Sequence, residues 1–189
     1  RIVDNIQGDQ DYVAKSAKLT EATINSDGSY KPGAEVDNAN ISYDAQAQQL
    51  TAKLPDNSTK AYVLTYQTSL AGKVIDQETY NNTATYQNND QSSQLTAAVT
   101  VPNSGNLAEK SGQQDPTDAS YALWNIWVNK EQSSLKDVTV NDTPSDNQII
   151  DPSTIIIYPT KVAQNGSFTE DTANPLKAGS DYNVDLTTD

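Results

Sequence analysis

Apolar residues in this chain recur at every second position, in short runs closed by turn signals. The clearest run opens residues 121–142 (YALWNIWVNKEQSSLKDVTVND), where Ala122, Trp124, Ile126 and Val128 alternate with Tyr121, Leu123, Asn125 and Trp127. A period of two puts one row on one face of a sheet and rules out the stripe of an amphipathic helix. The second row is mixed, so its face is expected to be only partly covered. Residues 129–134 are polar and can turn, after which Val138 and Val140 resume the alternation and lead to Asp142. A carboxylate directly after a buried strand is costly unless it is paired or protonated, which singles out Asp142 as a candidate functional group.

The same grammar runs through the rest of the chain. Residues 17–24 precede Asn25-Ser26-Asp27-Gly28, a hairpin-type turn with glycine where a positive φ is expected. Lys31-Pro32-Gly33 reads as a second turn. Residues 41–43 and 49–54 are short alternating runs. In 61–68 (AYVLTYQT), Tyr62, Leu64 and Tyr66 face one way and Ala61, Val63 and Thr65 the other. Residues 82–87 and 94–101 alternate likewise, and 73–79 suits a helical turn or a loop. Ile155, Ile156 and Ile157 form a continuous apolar run, which predicts a strand over 154–158 covered on both faces. Short strands with turns between them predict an all-β sandwich with almost no helix.

Composition narrows function by exclusion. The net charge of −13 comes from 25 scattered acidic and 12 basic residues, whereas phosphate binding needs clustered Lys and Arg. Nucleic acid is therefore not an expected partner. Cysteine, histidine and methionine are absent, which excludes disulfides, cysteine-ligated metal, histidine triads and zinc held through histidine. The turn at Asp27-Gly28 lacks the full acidic pattern of a calcium loop, and no metal or cofactor is expected. A carboxylate glycosidase stays formally open, but short polar strands offer no defined cleft, so no enzyme activity is expected. No apolar run approaches the roughly 20 residues of a membrane span. Abundant Thr, Ser, Asn, Gln and Asp with sparse charged helix formers fit an extracellular β protein. The chain starts at Arg1 without a methionine or a signal peptide, as expected of a piece of something longer.

The chain also repeats itself. Asp4 with Asp142, Gln10 with Gln148 and Gly28 with Gly166 share one offset of 138 positions. A one-residue gap then aligns Ser16 with Ser153, and Tyr43 corresponds to Tyr182. The strand run 121–129 has no counterpart in the first copy, nor do runs 61–101 in the second. Residues 1–101 therefore read as the C-terminal part of one repeat. Residues 102–189 read as a junction (Pro102 to Leu107, PNSGNL) and the N-terminal part of the next.

Run 61–68 followed by Tyr80-Asn81-Asn82-Thr83-Ala84 resembles the closing strands of collagen-adhesin-type repeats in Gram-positive cell-wall surface proteins. Glu109-Lys110-Ser111-Gly112, run 121–129 and Val138 to Pro144 resemble the opening strands of the same repeats. The resemblance covers nearly the whole chain and implies immunoglobulin-like sandwiches used as stalks or ligand-binding regions of microbial adhesins. It also implies a spontaneous amide cross-link between a lysine near the start of a repeat and an asparagine near its end, promoted by a buried carboxylate. By that resemblance Lys110 is the amine, Asn82 the acceptor, and Asp142 and Asp4 are the carboxylates of two successive repeats. The chemistry is sound in general terms: a desolvated lysine can attack as a neutral amine, and a buried neutral carboxylic acid can polarise an amide. Asn82 would then partner a lysine of the preceding repeat, and Lys110 an asparagine of the following one.

Plainer readings exist for each residue. Asn82 can be a strand-edge asparagine, with Asn81 beside it as an alternative acceptor, and Lys110 a solvated lysine in a polar stretch. Asp142 can cap the turn at Thr143-Pro144. Trp124 is expected in the core, although Trp124 with Trp127 could also stack on sugar. The sequence therefore leads to a non-enzymatic stalk or adhesin repeat on the outside of a cell-wall-anchored bacterial surface protein. Its expected partners are a host matrix protein or glycan and neighbouring repeats of the same chain. The alternative is a carbohydrate-binding module of a secreted protein. Because residues 4–101 lack a counterpart of run 121–129, that run is expected to fill the gap, by strand exchange between chains if PNSGNL is too short to cross a sandwich.

Overall fold

The computed structural model describes residues 1–37 and 40–186. Ten strands occupy the first half: β1 (Ile2–Asn5), β2 (Asp11–Tyr12), β3 (Lys18–Ile24), β4 (Tyr30–Glu35), β5 (Ile41–Asp44), β6 (Gln49–Ala52), β7 (Ala61–Thr65), β8 (Thr68–Ser69), β9 (Thr79–Asn88) and β10 (Gln91–Thr100). Four more follow: β11 (Ala108–Gln114), β12 (Ala122–Val128), β13 (Thr160–Val162) and β14 (Phe168–Glu170). No α-helix occurs among the described residues, and Pro152–Thr154 form a 3-10 turn. The all-β expectation holds, and every ladder between strands is antiparallel.

The strands sort into an N-terminal body, β1–β10, and a C-terminal body, β11–β14, with no ladder joining the two among the described residues. In the first, a sheet of order β10-β9-β1-β6-β5 faces a sheet of order β4-β3-β7, with β2-β8 as a small ribbon beside them. Leu19 on β3 and Leu50 on β6 are fully buried between the sheets, with Ala52, Ile6, Ala17 and Tyr80 around them. Alternation explains the inner face of the larger sheet. Asp4 lies opposite Leu50 and Ala84, and Tyr43 also lies opposite Leu50, so these side chains form one inward row. Tyr12 and Tyr43 close one end, with ring centroids 4.5 Å apart.

The C-terminal body is two hairpins, β11-β12 and β13-β14, touching through an edge-on contact of Trp127 and Phe168 at 5.7 Å. It does not close into a sandwich: among the described residues, every buried apolar side chain lies at or before Tyr80. The row expected to face a core is exposed throughout, at Ala122, Trp124, Ile126 and Val128. Trp124 is 50% exposed, whereas Trp127 on the opposite face is partly covered. Among the described residues no second sheet packs on the Trp124 row, so alternation gave the strand correctly and its covered face wrongly.

Three further expectations change. Residues 154–158 form no strand: Asp151 accepts from Ser153 N at 2.9 Å and Oγ at 2.6 Å, and Pro152 opens the 3-10 turn. Ile155–Ile157 then run extended without a ladder, with Ile156 and Ile157 exposed. Val138 and Val140 are exposed and lie outside any strand. Lys31-Pro32-Gly33 is not a turn but part of β4, an edge strand where proline forfeits no ladder bond. Glycine suits position 33, because a Cβ would sit 3.2 Å from Glu21 O, a tight approach.

The two copies noticed in the sequence share one local geometry. Hairpin β3-β4 pairs Ile24 with Tyr30, and hairpin β13-β14 pairs Val162 with Phe168. In the first turn Asn25 N donates to Ser29 O at 2.8 Å and Ser29 Oγ to Asp27 Oδ1 at 2.6 Å. In the second, Ala163 N donates to Ser167 O at 2.7 Å and Ser167 Oγ to Asn165 Oδ1 at 2.7 Å. Gly28 and Gly166 take φ of +82° and +81°, the left-handed conformation expected at this position.

Candidate functional site

Asp4 and Asn82 meet because β1 and β9 are neighbours. Asp4 is opposite Ala84, so Asn82, two residues along the same face, is its diagonal neighbour. Asn82 Nδ2 lies 2.9 Å and 3.0 Å from the two oxygens of Asp4. Tyr66, just past β7 on the facing sheet, completes the cluster: its hydroxyl donates to Asp4 Oδ2 at 2.7 Å and accepts from Asn82 Nδ2 at 2.5 Å. Burial and then Asp4 itself push the Tyr66 hydroxyl well above its usual range, so it stays protonated and donating. Asp4 is buried, yet every bond it accepts here comes from an inward-facing side chain. Asn82 Oδ1 is also buried and has no hydrogen-bond partner among the described residues. The open end of this cluster is therefore a carbonyl, the atom that would receive a donor.

Lys110 and Asp142 form a second cluster. Lys110 is opposite Ile126 on β12, which makes Trp124 its diagonal neighbour on the same face. Its Nζ lies 4.7 Å from the centre of the Trp124 ring and 2.7 Å and 2.9 Å from the oxygens of Asp142. Gly112, directly opposite Trp124, makes room for the ring: a Cβ there would come within 2.3 Å of Trp124 Cζ3. Lys110 and Asp142 are partly exposed, at 40% and 30% of their side chains, so this pair is wetter than the Asp4 cluster.

The four residues singled out in the sequence thus fall into two pairs, Asp4 with Asn82 and Lys110 with Asp142. Among the described residues, no hydrogen bond or ion pair links one cluster to the other. Tyr66 was missed as a site residue. Its signal was its place in the row of Leu64, whose partner across the ladder is the fully buried Leu19. Asn81, the alternative acceptor, alternates to the opposite face of β9 from Asn82 and is exposed.

The segment holding the lysine cluster also matches a known family. Residues 105–187 match the family model of the collagen binding domain. The collagen-binding-domain match spans β11 to β14 and includes Lys110, Trp124 and Asp142; Asp4, Tyr66 and Asn82 precede it. It agrees with a collagen-adhesin-type repeat and supports a surface adhesin. No curated protein and no solved structure matches the chain. Among the described residues, no helix is long and apolar enough to cross a membrane.

Proposed function

We propose that this chain is a non-enzymatic stalk or adhesin repeat of a cell-wall-anchored bacterial surface protein, and that it carries the two halves of a self-formed lysine–asparagine cross-link. The observation that carries the reading is the buried Asp4 carboxyl held against the Asn82 amide by Tyr66. In the cross-link a neutral lysine Nζ attacks Cγ of Asn82. The new C–N bond replaces Cγ–Nδ2, and the old amide nitrogen leaves as ammonia with a proton from the lysine. Asp4 and Tyr66 grip that leaving nitrogen, so they steer departure as well as orientation. Lys110, held by Asp142, is the corresponding amine of the next repeat.

The tandem reading is supported by the shared hairpin geometry and by a collagen-binding-domain match that begins at Gly105, inside PNSGNL. On this reading residues 1–101 close one immunoglobulin-like unit and 102–189 open the next. The single chain does not place β12 in the sheets of the N-terminal body, since β12 pairs with β11 alone. Exchange of that strand is therefore a matter between chains. The partner is a host matrix protein of the collagen class. A sugar-binding role gains nothing from the tryptophans, because Lys110 lies over Trp124 and Phe168 packs edge-on against Trp127. Saturable binding to immobilised collagen, with no specific hit on a glycan array, is the expected outcome. Sugar binding that quenches Trp127, without collagen binding, would replace the adhesin reading by the carbohydrate module.

A further inference from the structure

The junction between the two bodies is bonded on both sides. Linker groups bind the N-terminal body: Gly105 N donates to Ile75 O at 3.1 Å and Ser104 Oγ to Gln77 O, next to the Val101 N bond to Glu78 O at 3.2 Å that leads into the linker. The linker also binds the C-terminal body: Asn103 Nδ2 donates to Gly166 O at 2.9 Å, and a Cβ on Gly166 would come within 2.6 Å of Pro102 Cβ. A third set bypasses the linker. Ile75 N donates to Ser133 Oγ at 2.7 Å in a buried bond, and Ser134 N to Lys73 O at 2.8 Å. Ile75 and Ser133 are both buried by this contact region. Each partner is anchored in its own body. Lys73 Nζ pairs with Asp9 at 2.9 Å and Asp11 at 3.2 Å, while Asn129 ties Ser133 O to the start of the loop at 3.0 Å.

We propose that loop 129–134 is a plug that docks on loop 71–78 and makes the joint between successive units rigid, the partner of each plug being the preceding unit of the same chain. PNSGNL then acts as a clamped strap rather than a flexible linker. An array built this way stacks head to tail, each unit offering a socket at one end and a plug at the other. Glu131 sits inside the plug, 3% exposed, with both carboxylate oxygens unpartnered among the described residues. Burying it opposes docking, so the Ser133 and Ile75 contacts hold the joint against that cost. These contacts are independent of what the protein binds.

The chain has no cysteine, so Ser26→Cys and Ala119→Cys, both at exposed turns, accept spin labels cleanly. Pulsed electron resonance on the 189-residue chain should give one narrow distance distribution. Ser133→Ala and Ile75→Asp should broaden it while the β circular dichroism spectrum is kept, and Glu131→Gln should leave it as narrow or narrower. A broad distribution in the unmodified joint would overturn the proposal outright. So would a narrow one that survives Ser133→Ala, or one that Glu131→Gln broadens. If Ile75→Asp unfolds the N-terminal body, the Ser133→Ala arm alone decides.

Discussion

Asp4 shows how a single residue can be legible in sequence while its reason is not. Its place in the 138-residue offset and its likeness to a promoting carboxylate marked it out, as they did Asp142, whereas Asn82 and Lys110 were marked by the family resemblance alone. What sequence did not give was Tyr66, because nothing local distinguishes a hydroxyl that will face a carboxylate from one that will face water. The structure makes that hydroxyl a donor to Asp4 Oδ2, so Tyr66→Phe leaves a buried acceptor short of one partner. The expected loss is about 1–3 kcal/mol in urea unfolding of the N-terminal body, and an unchanged midpoint would show that the cluster is not stabilising. Gly112 is a second residue whose role appears only in three dimensions. Gly112→Ala must push the Trp124 ring away, and with it the ring face under Lys110 Nζ. A changed tryptophan emission with little change in the N-terminal body's unfolding is expected, and identical emission would contradict the packing described.

At the scale of elements, period-two alternation located β3, β5, β6, β7, β9, β10 and β12, because each carries enough side chains to show it. It failed where partners rather than side chains make the strand. β11 reads AEKSGQQ and has no apolar row; it is a strand because β12 pairs with it along its whole length. β1 carries Asp4 in the middle of four residues and is fixed by ladders on both sides. The isoleucine run failed in the opposite sense, having apolar side chains but no neighbouring strand to bond. Burial follows the sheets and not hydrophobicity, which gives a paired test. Leu50→Ala, at a fully buried site, should cost about 2–5 kcal/mol of unfolding free energy. Trp124→Ala, a larger truncation at a half-exposed site, should cost less. Equal costs would mean that the C-terminal hairpins have a core of their own.

For the whole molecule, two incomplete clusters and a clamped joint point to one mechanical design. A lysine–asparagine bond between first and last strands of a unit would carry load through covalent structure instead of ladder hydrogen bonds. Like a long-loop disulfide, it would stabilise the unit by an amount on the order of 4 kcal/mol in the chain-entropy model. A chain without cysteine has no disulfide to do this. The most direct measurement is the intact mass of a polypeptide spanning at least two full repeats. The account predicts a mass lower by one ammonia for each bond formed, with the loss at Asn82 abolished by Asp4→Ala. An unchanged mass would contradict the cross-link.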